Sequence, residues 1–245
     1  AARPGMGKTS IGLNICLNAA KATGKTVAIF SLEMSREQLV TRFLSSEGEI
    51  PLGNLLTGNL TMDEWKRTAH ACAAVSSLDI LVNDNPTLTV AEMNAQCRRL
   101  NNLGLVMIDY LQLMQAKNTL RNGDNRQQEI SEISRSLKSL ARELNVPVIA
   151  LSQLSRSVEA RQDHRPLLSD LRESGSLEQD ADMVSFLFRP AYYDRDMEDD
   201  NPQKNETEII LAKNRNGPVD TVKLLFAGQF TLFYELTNQE PPPDM

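Results

Sequence analysis

The chain has 245 residues, 41% of them hydrophobic and 24% charged, and its 26 Lys and Arg against 32 Asp and Glu leave a formal net charge of −6. These proportions describe an ordinary globular chain, long enough for one large domain with a substantial core. The acidic balance excludes a surface coated in cations for nucleic acid while leaving room for a focal site, and no apolar run is long enough to cross a bilayer as a helix.

The first ten residues read Ala1-Ala-Arg-Pro-Gly-Met-Gly-Lys-Thr-Ser10, and from Ala2 to Thr9 they fit the phosphate-binding pattern G-x-x-x-x-G-K-[ST], with Ala2 where the first glycine usually sits. Gly5 and Gly7 let the backbone bend so that N–H groups converge on phosphate oxygens. Lys8 adds a point charge for the terminal phosphates, and the Thr9 hydroxyl can bind magnesium. The helix that follows points its positive end at the anion. The motif predicts a nucleoside triphosphate; the alternative on the motif alone is a glycine-bearing turn before an ordinary helix. Such a loop is held between a buried strand and a helix, and the stretch before Ala1 that would supply the strand is not in this sequence. The chain therefore reads as a fragment of a longer protein.

Apolar Ile11, Ile15, Ala19 and Ala22 recur at helical spacing over 8–23, and Gly24 closes that helix. Thr26-Val-Ala-Ile-Phe-Ser31 reads as a buried strand. A second helix over 35–47 has Ser35 as N-cap and Gln38 three residues on. Residues 51–77 read as two helical pieces, the second starting at Thr61; a short strand at 79–83, a helix at 89–101 and a strand at 104–109 follow. Polar residues 115–126 predict a mobile loop, and a long helix over 126–145 stops before Pro147. Residues 148–152 form a strand, the charged stretch 155–175 reads as irregular, and 183–188 is again a strand. Residues 190–205 predict a second mobile loop, whose acidic tract 194–200 is screened from any site more than about 10 Å away. Residues 208–212, 221–226 and 230–234 read as antiparallel strands with turns at Asn216-Gly217 and Ala227-Gly228, and the Pro241-Pro-Pro243 tail as disordered. Alternating strands and helices imply an α/β fold with a mainly parallel sheet covered on both faces and its nucleotide site at the carboxyl ends of the strands. The three cysteines, Cys16, Cys72 and Cys97, form no C-x-x-C pair and fit a reducing cytoplasm, with Cys16 and Cys97 as small apolar filling.

Leu105-Val-Met-Ile-Asp109 delivers a carboxylate to the end of a buried strand, where beside a phosphate loop it can hold the metal, or merely cap the strand. Glu33 follows another strand; there a carboxylate can orient and deprotonate an attacking water, or it can simply face a helix N-terminus. Gln153 ends a third strand, where a neutral amide can sense the terminal phosphate or merely finish the strand. Lys213-Asn-Arg-Asn-Gly-Pro218 is a basic turn, either a phosphate contact or a solvated hairpin. Leu171-Arg-Glu-Ser-Gly-Ser176 has the small residues and arginine that suit a phosphate backbone, or is an ordinary capped loop.

Together with Ser31-Leu-Glu-Met34, Met107-Ile-Asp-Tyr-Leu-Gln-Leu113, Glu129-Ile-Ser-Glu-Ile-Ser-Arg-Ser-Leu-Lys138, Ser152-Gln-Leu-Ser-Arg156 and Asp170-Leu-Arg-Glu-Ser-Gly-Ser176, these motifs resemble the bacterial replicative DNA helicase of the DnaB type, in that family's order and over nearly the whole chain. Within that family the alanine at the first loop position is normal. The resemblance implies a RecA-like ATPase domain over 1–238, a disordered tail over 239–245, and work as a homo-hexameric ring around single-stranded DNA, with ATP and Mg2+ as cofactors. It implies that Arg3, Pro4, Gly5, Met6, Gly7, Lys8, Thr9, Ser10 and Arg42 bind nucleotide, with Thr9 and Asp109 on the metal. Glu33 becomes the general base and Gln153 the reporter of nucleotide state, while Lys213 and Arg215 act on the neighbouring subunit's ATP. Arg172, Glu173, Gly175 and Arg126 become the DNA contacts. Primase and a helicase loader are the implied partners, with no membrane association. Two rival readings are a RecA-like recombinase, which forms open filaments, and a nucleotide-switched assembly protein indifferent to DNA.

Overall fold

The computed structural model describes residues 1–114, 126–193 and 202–236; the side chains of 126, 172–175, 202 and 203 are outside the described set. Of the mobile loop expected at 115–126, residues 115–125 fall outside it too, as do the acidic tract 194–200 and the tail 239–245.

The first half alternates as the sequence predicts: α1 (Lys8–Thr23), β1 (Thr26–Ser31), α2 (Arg36–Gly48), α3 (Leu52–Thr57), α4 (Met62–Ser76), β2 (Ile80–Asn83), α5 (Val90–Cys97), β3 (Leu103–Asp109), α6 (Arg126–Leu144) and β4 (Val148–Ala150). Local chemistry sets the helix starts. Ser35, Thr61 and Thr89 each accept from the backbone N–H three residues on, and Gln38, Glu64 and Glu92 return the bond, so three capping boxes satisfy amides that a helix start leaves unpaired. The helix predicted over 89–101 ends at Cys97, with the amides of Arg98, Arg99 and Leu100 closing turns behind it.

The four strands form one parallel sheet in the order β2-β1-β3-β4. Period-two alternation sends Ala28, Phe30, Val106 and Ile108 to one face, against Met93 and Cys97 of α5 and Ile133, Leu137 and Leu140 of α6. Val27, Ile29, Leu105 and Met107 go to the other, against Leu13, Cys16, Leu17 and Ala20 of α1 and Leu39 and Phe43 of α2. Each buried Val, Leu, Ile, Phe or Met among them contributes about 1.5–3 kcal/mol. The face of α1 corrects the sequence reading. Ile15 is 43% exposed and Ala22 is exposed, because α1 docks through Leu13, Cys16, Leu17 and Ala20, with Gly12 so close to the sheet that an added Cβ would lie 2.8 Å from Met107 Sδ.

The 3-10 turns Arg156–Ala160 and Leu168–Ser174 and the short α7 (Gly175–Asp180) lead into β5 (Met183–Phe188). β5 pairs antiparallel with β6 (Glu206–Asn214), and β7 (Asp220–Ala227) and β8 (Leu232–Glu235) complete a second sheet in the order β5-β6-β7-β8. Two devices join the sheets. Ala2 pairs in parallel with Gln153 at the exit of β4, while Ala1 bonds to Ser185 and Leu187 of β5. Buried Asn14 of α1 donates to the Thr231 carbonyl and accepts from the Phe233 N–H at β8. The loop predicted at 190–205 is ordered at its start: Pro190–Tyr192 is a 3-10 turn, and Tyr193 stacks on His164 at 4.2 Å.

Candidate nucleotide site

Gly5 and Gly7 have φ of 80° and 94°, in the left-handed region that favours glycine. The approach of other chain segments makes both positions tighter still. A Cβ on Gly5 would lie 3.0 Å from the Tyr192 ring, and one on Gly7 would lie 3.0 Å from Phe233 and 3.3 Å from Phe226. Gly7 caps α1 with no side chain, so the first amides of α1 are left for an anion. Met6 is buried beside Ala2 and Leu187, contributing packing to the loop, while Pro4 and Gly5 are exposed. Ser10 is buried in the first turn.

β1 and β3 run side by side with Ser31 opposite Asp109, so Glu33 and Asp109 come to the same carboxyl edge. Asp109 is fully buried. Its Oδ2 accepts from Thr9 Oγ1 at 2.7 Å; its Oδ1 lies 3.8 Å from Lys8 Nζ and has no hydrogen-bond partner. Lys8 Nζ also stands 4.2 Å from the centroid of Tyr110. Burial pushes the Lys8 ammonium below its ordinary pKa, against the upward pull of Asp109 and Glu33. Arg42 on α2 is displaced in the same direction by burial, again opposed by Asp109 and Glu33. The Tyr110 phenol is raised by burial and by those two carboxylates. Glu33 is exposed, yet its charge acts on Lys8, Arg42 and Tyr110. Lys8, Thr9, Glu33, Arg42 and Asp109, far apart in sequence, thus share one electrostatic neighbourhood.

This donor set fits a magnesium nucleotide. A buried carboxylate oxygen lacking a donor, beside a threonine hydroxyl, suits a hard cation that takes one or two protein oxygens and completes its shell with phosphates and water. Gln112, just past β3, was missed by sequence reasoning. Its amide donates to Ser152 Oγ at 2.8 Å and to the Gln153 carbonyl at 3.0 Å, and its oxygen accepts from the Gln153 N–H at 3.2 Å. This fixes the exit of β4, and Gln153 with it, to the exit of β3. Gln112 and Tyr110 both stand in the stretch around Asp109, where polar groups after a buried strand are the readable signal. Tyr192, far along the chain, gives no such signal.

Other predicted residues stand elsewhere. Arg3 turns away from the loop: its Nε and Nη2 donate to Glu159 Oε1 at 2.9 and 2.8 Å, and Nη1 donates to the Leu154 carbonyl at 2.8 Å. Lys213 Nζ donates to the carbonyls of Glu178 and Ala181 at the end of α7, and Arg215 bonds there to Gln179 and Asp182. Both are held by contacts within this chain, apart from Lys8 and Thr9 in every contact found for them among the described residues. The predicted DNA-contacting turn runs along the backbone of Leu168–Ser174 into α7. The side chains of Arg126, Arg172 and Glu173, and the surroundings of Gly175, lie outside the described set.

Comparison with known proteins closes the question of ancestry. The family described as DnaB-like helicase C terminal domain matches residues 1–235. The chain is 56% identical over 242 residues to the replicative DNA helicase DnaC of Bacillus subtilis (strain 168), covering 98% of this chain and 52% of that protein. It is likewise 56% identical to the replicative DNA helicase DnaB of Geobacillus stearothermophilus, over 98% of this chain and 52% of that one. A solved DnaB-like replicative helicase, described with its interactions with primase, superposes with a TM-score of 0.89 at 40% identity, covering 96% of this chain and 56% of that chain. The chain therefore spans about half the length of the curated relatives it matches. With 235 of its 245 residues matched by the family, the phosphate loop and the buried aspartate among them, the chain belongs to the DnaB-like helicase C-terminal domain family.

Proposed function

We propose that this chain is the ATP-hydrolysing motor domain of a ring-shaped replicative DNA helicase that translocates on single-stranded DNA and unwinds duplex at the replication fork. The observation that carries the reading is the convergence of Lys8, Thr9, Glu33, Arg42 and Asp109 at the carboxyl edge of β1 and β3. Lys8 and the first amides of α1 hold the terminal phosphates, with Pro4, Gly5, Met6, Gly7 and Ser10 shaping the cradle. Thr9 and Asp109 hold magnesium, which when bound neutralises charge on the phosphates. Glu33 orients and deprotonates the attacking water, and Gln153, steadied by Gln112, reports the nucleotide state. Lys213 and Arg215 serve the neighbouring subunit's ATP in a homo-hexamer, with Arg215 as arginine finger. Arg172, Glu173, Gly175 and Arg126 meet the DNA backbone, which makes movement independent of sequence. Residues 1–238 are one domain, the protein is cytoplasmic, and primase and a loader are its partners. The described residues contain no helix long and apolar enough to cross a membrane.

The test is steady-state ATP hydrolysis with and without single-stranded DNA, on this chain extended by the N-terminal half that the relatives carry, with Lys8→Ala as control. Strong stimulation by DNA, abolished in the control, is the expected outcome. Hydrolysis indifferent to DNA in an assembled ring refutes the motor reading.

A further inference from the structure

The contacts of Arg3 lead away from the nucleotide and toward the DNA-contacting turn. Arg3 is within the phosphate-binding loop, and its side chain is 10% exposed. It grips the Leu154 carbonyl at 2.8 Å and Glu159 Oε1 through two nitrogens at 2.9 and 2.8 Å. Glu159 belongs to the 3-10 turn Arg156–Ala160. That turn and its flanks are bound in several ways to Asp170, which is 2% exposed. The Ser155 N–H donates to the Asp170 carbonyl at 3.1 Å, and Ser157 Oγ donates to Asp170 Oδ1 at 3.1 Å. Arg161 grips both carboxylate oxygens of Asp170. Apolar packing runs in parallel, because Leu154, Val158 and Leu171 share one buried cluster. Asp170 sits inside Leu168–Ser174, immediately before the residues assigned to DNA.

We infer that Arg3 is a positioning residue and not a nucleotide ligand: through Glu159 and Asp170 it tethers the phosphate-binding loop to Leu168–Ser174, so that nucleotide occupancy sets the position of the DNA-contacting turn. The inference rests on the motor reading above for what the turn touches, while the tether itself rests on contacts within this chain. It assigns coupling inside one chain to a fixed set of hydrogen bonds, of which the Arg3–Glu159 pair can be removed by substitution. A contiguous bonded path of this kind carries coupling only if both ends bias the same element.

The experiment compares Arg3→Ala, Glu159→Ala and the double variant in the extended, assembled protein. Two readouts are taken: KM for ATP with the stimulation of kcat by single-stranded DNA, and amide hydrogen exchange over 168–174 with and without a non-hydrolysable ATP analogue. KM is expected to hold within about twofold, while each single variant loses about fivefold or more of the DNA stimulation, the lower range of measured couplings. The double variant is expected to lose no more than either single one, because both cut the same tether. In exchange, the analogue alters protection of 168–174 in the parent protein and not in the variants. A large rise in KM for Arg3→Ala, whatever stands at 159, makes Arg3 a phosphate ligand and overturns the inference. Additive losses in the double variant, or an unchanged exchange response in Arg3→Ala, overturn it as well. If the parent's hydrolysis ignores DNA, the motor reading fails separately, and the exchange comparison alone decides the tether.

Discussion

At the scale of single residues, the nucleotide loop is built where no other side chain fits. Gly7 combines a φ of 94° with the Phe233 ring at 3.0 Å from an added Cβ. Gly7→Ala is expected to cost about 2 kcal/mol of stability, within the range for a strained left-handed residue, and to weaken nucleotide binding. Urea unfolding and nucleotide titration check the two effects; a fully stable, binding variant contradicts the geometry. Asp170 gives a second prediction. Burial pushes its carboxyl upward, but the hydrogen bonds from Arg161, the Leu167 N–H and Ser157 outweigh it, and the net displacement is below the ordinary value of 3.8. A carboxylate lowered on folding contributes stability that is present above its unfolded pKa and lost as pH falls through the folded value. Asp170→Asn is expected to cost about 2 kcal/mol at neutral pH, the worth of hydrogen bonds to a charged group. It should also show a flatter loss of stability on acidification below about pH 4. Parallel acid-dependent denaturation curves for the two proteins would remove Asp170 as the cause.

At the scale of elements, the two sheets are joined by polar bonds in addition to apolar packing. Asn14 lies in mid-helix, where a polar side chain is ordinarily solvent-facing, yet it is 6% exposed and satisfies both the Thr231 carbonyl and the Phe233 N–H. Removing it leaves a donor and an acceptor unpaired at β8, each costing about 1–3 kcal/mol. Asn14→Ala is therefore expected to lower the urea midpoint and to raise hydrogen exchange in β8 more than in β1. Equal change in both strands would indicate that β8 is not docked on α1 through this side chain. The helix starts obey a simpler rule. Ser35 with Gln38 was legible as a capping box because the two residues are three apart in sequence. The buried face of α1, Leu13, Cys16, Leu17 and Ala20, stands in the sequence at helical spacing, but Ile11, Ile15, Ala19 and Ala22 make a competing stripe, and only docking, with Gly12 close to Met107, separates the two.

At the scale of the whole molecule, the reading depends on a second subunit. Lys213 and Arg215 rest on the end of α7, which directly follows the turn proposed to contact DNA, and in the proposed ring they serve the neighbour's nucleotide. An arginine finger is worth about 10³–10⁵ in rate. Arg215→Ala in the assembled ring is therefore expected to reduce hydrolysis by about that factor while leaving ATP affinity nearly unchanged. Normal turnover would leave Arg215 with only its local bonds to Gln179 and Asp182.

The alternation of strands and helices, the phosphate loop and the buried aspartate are legible in the amino-acid order alone. Those signals are local: periodic apolar residues, glycine at fixed offsets, and a carboxylate ending an apolar run. The same order also placed Cys16 and Cys97 in the core, where both are buried. The membership of β5 (Met183–Phe188) in the antiparallel sheet is set by packing across the fold, since its apolar run is compatible with either sheet. Tertiary packing brought Arg42 within electrostatic reach of Asp109, set Tyr192 against Gly5, locked Gln153 through Gln112 and turned Arg3 onto Glu159. The physical reason is the same in each case. A side chain's partner across the fold is set by sheet order and helix docking, and spacing along the chain carries no record of either.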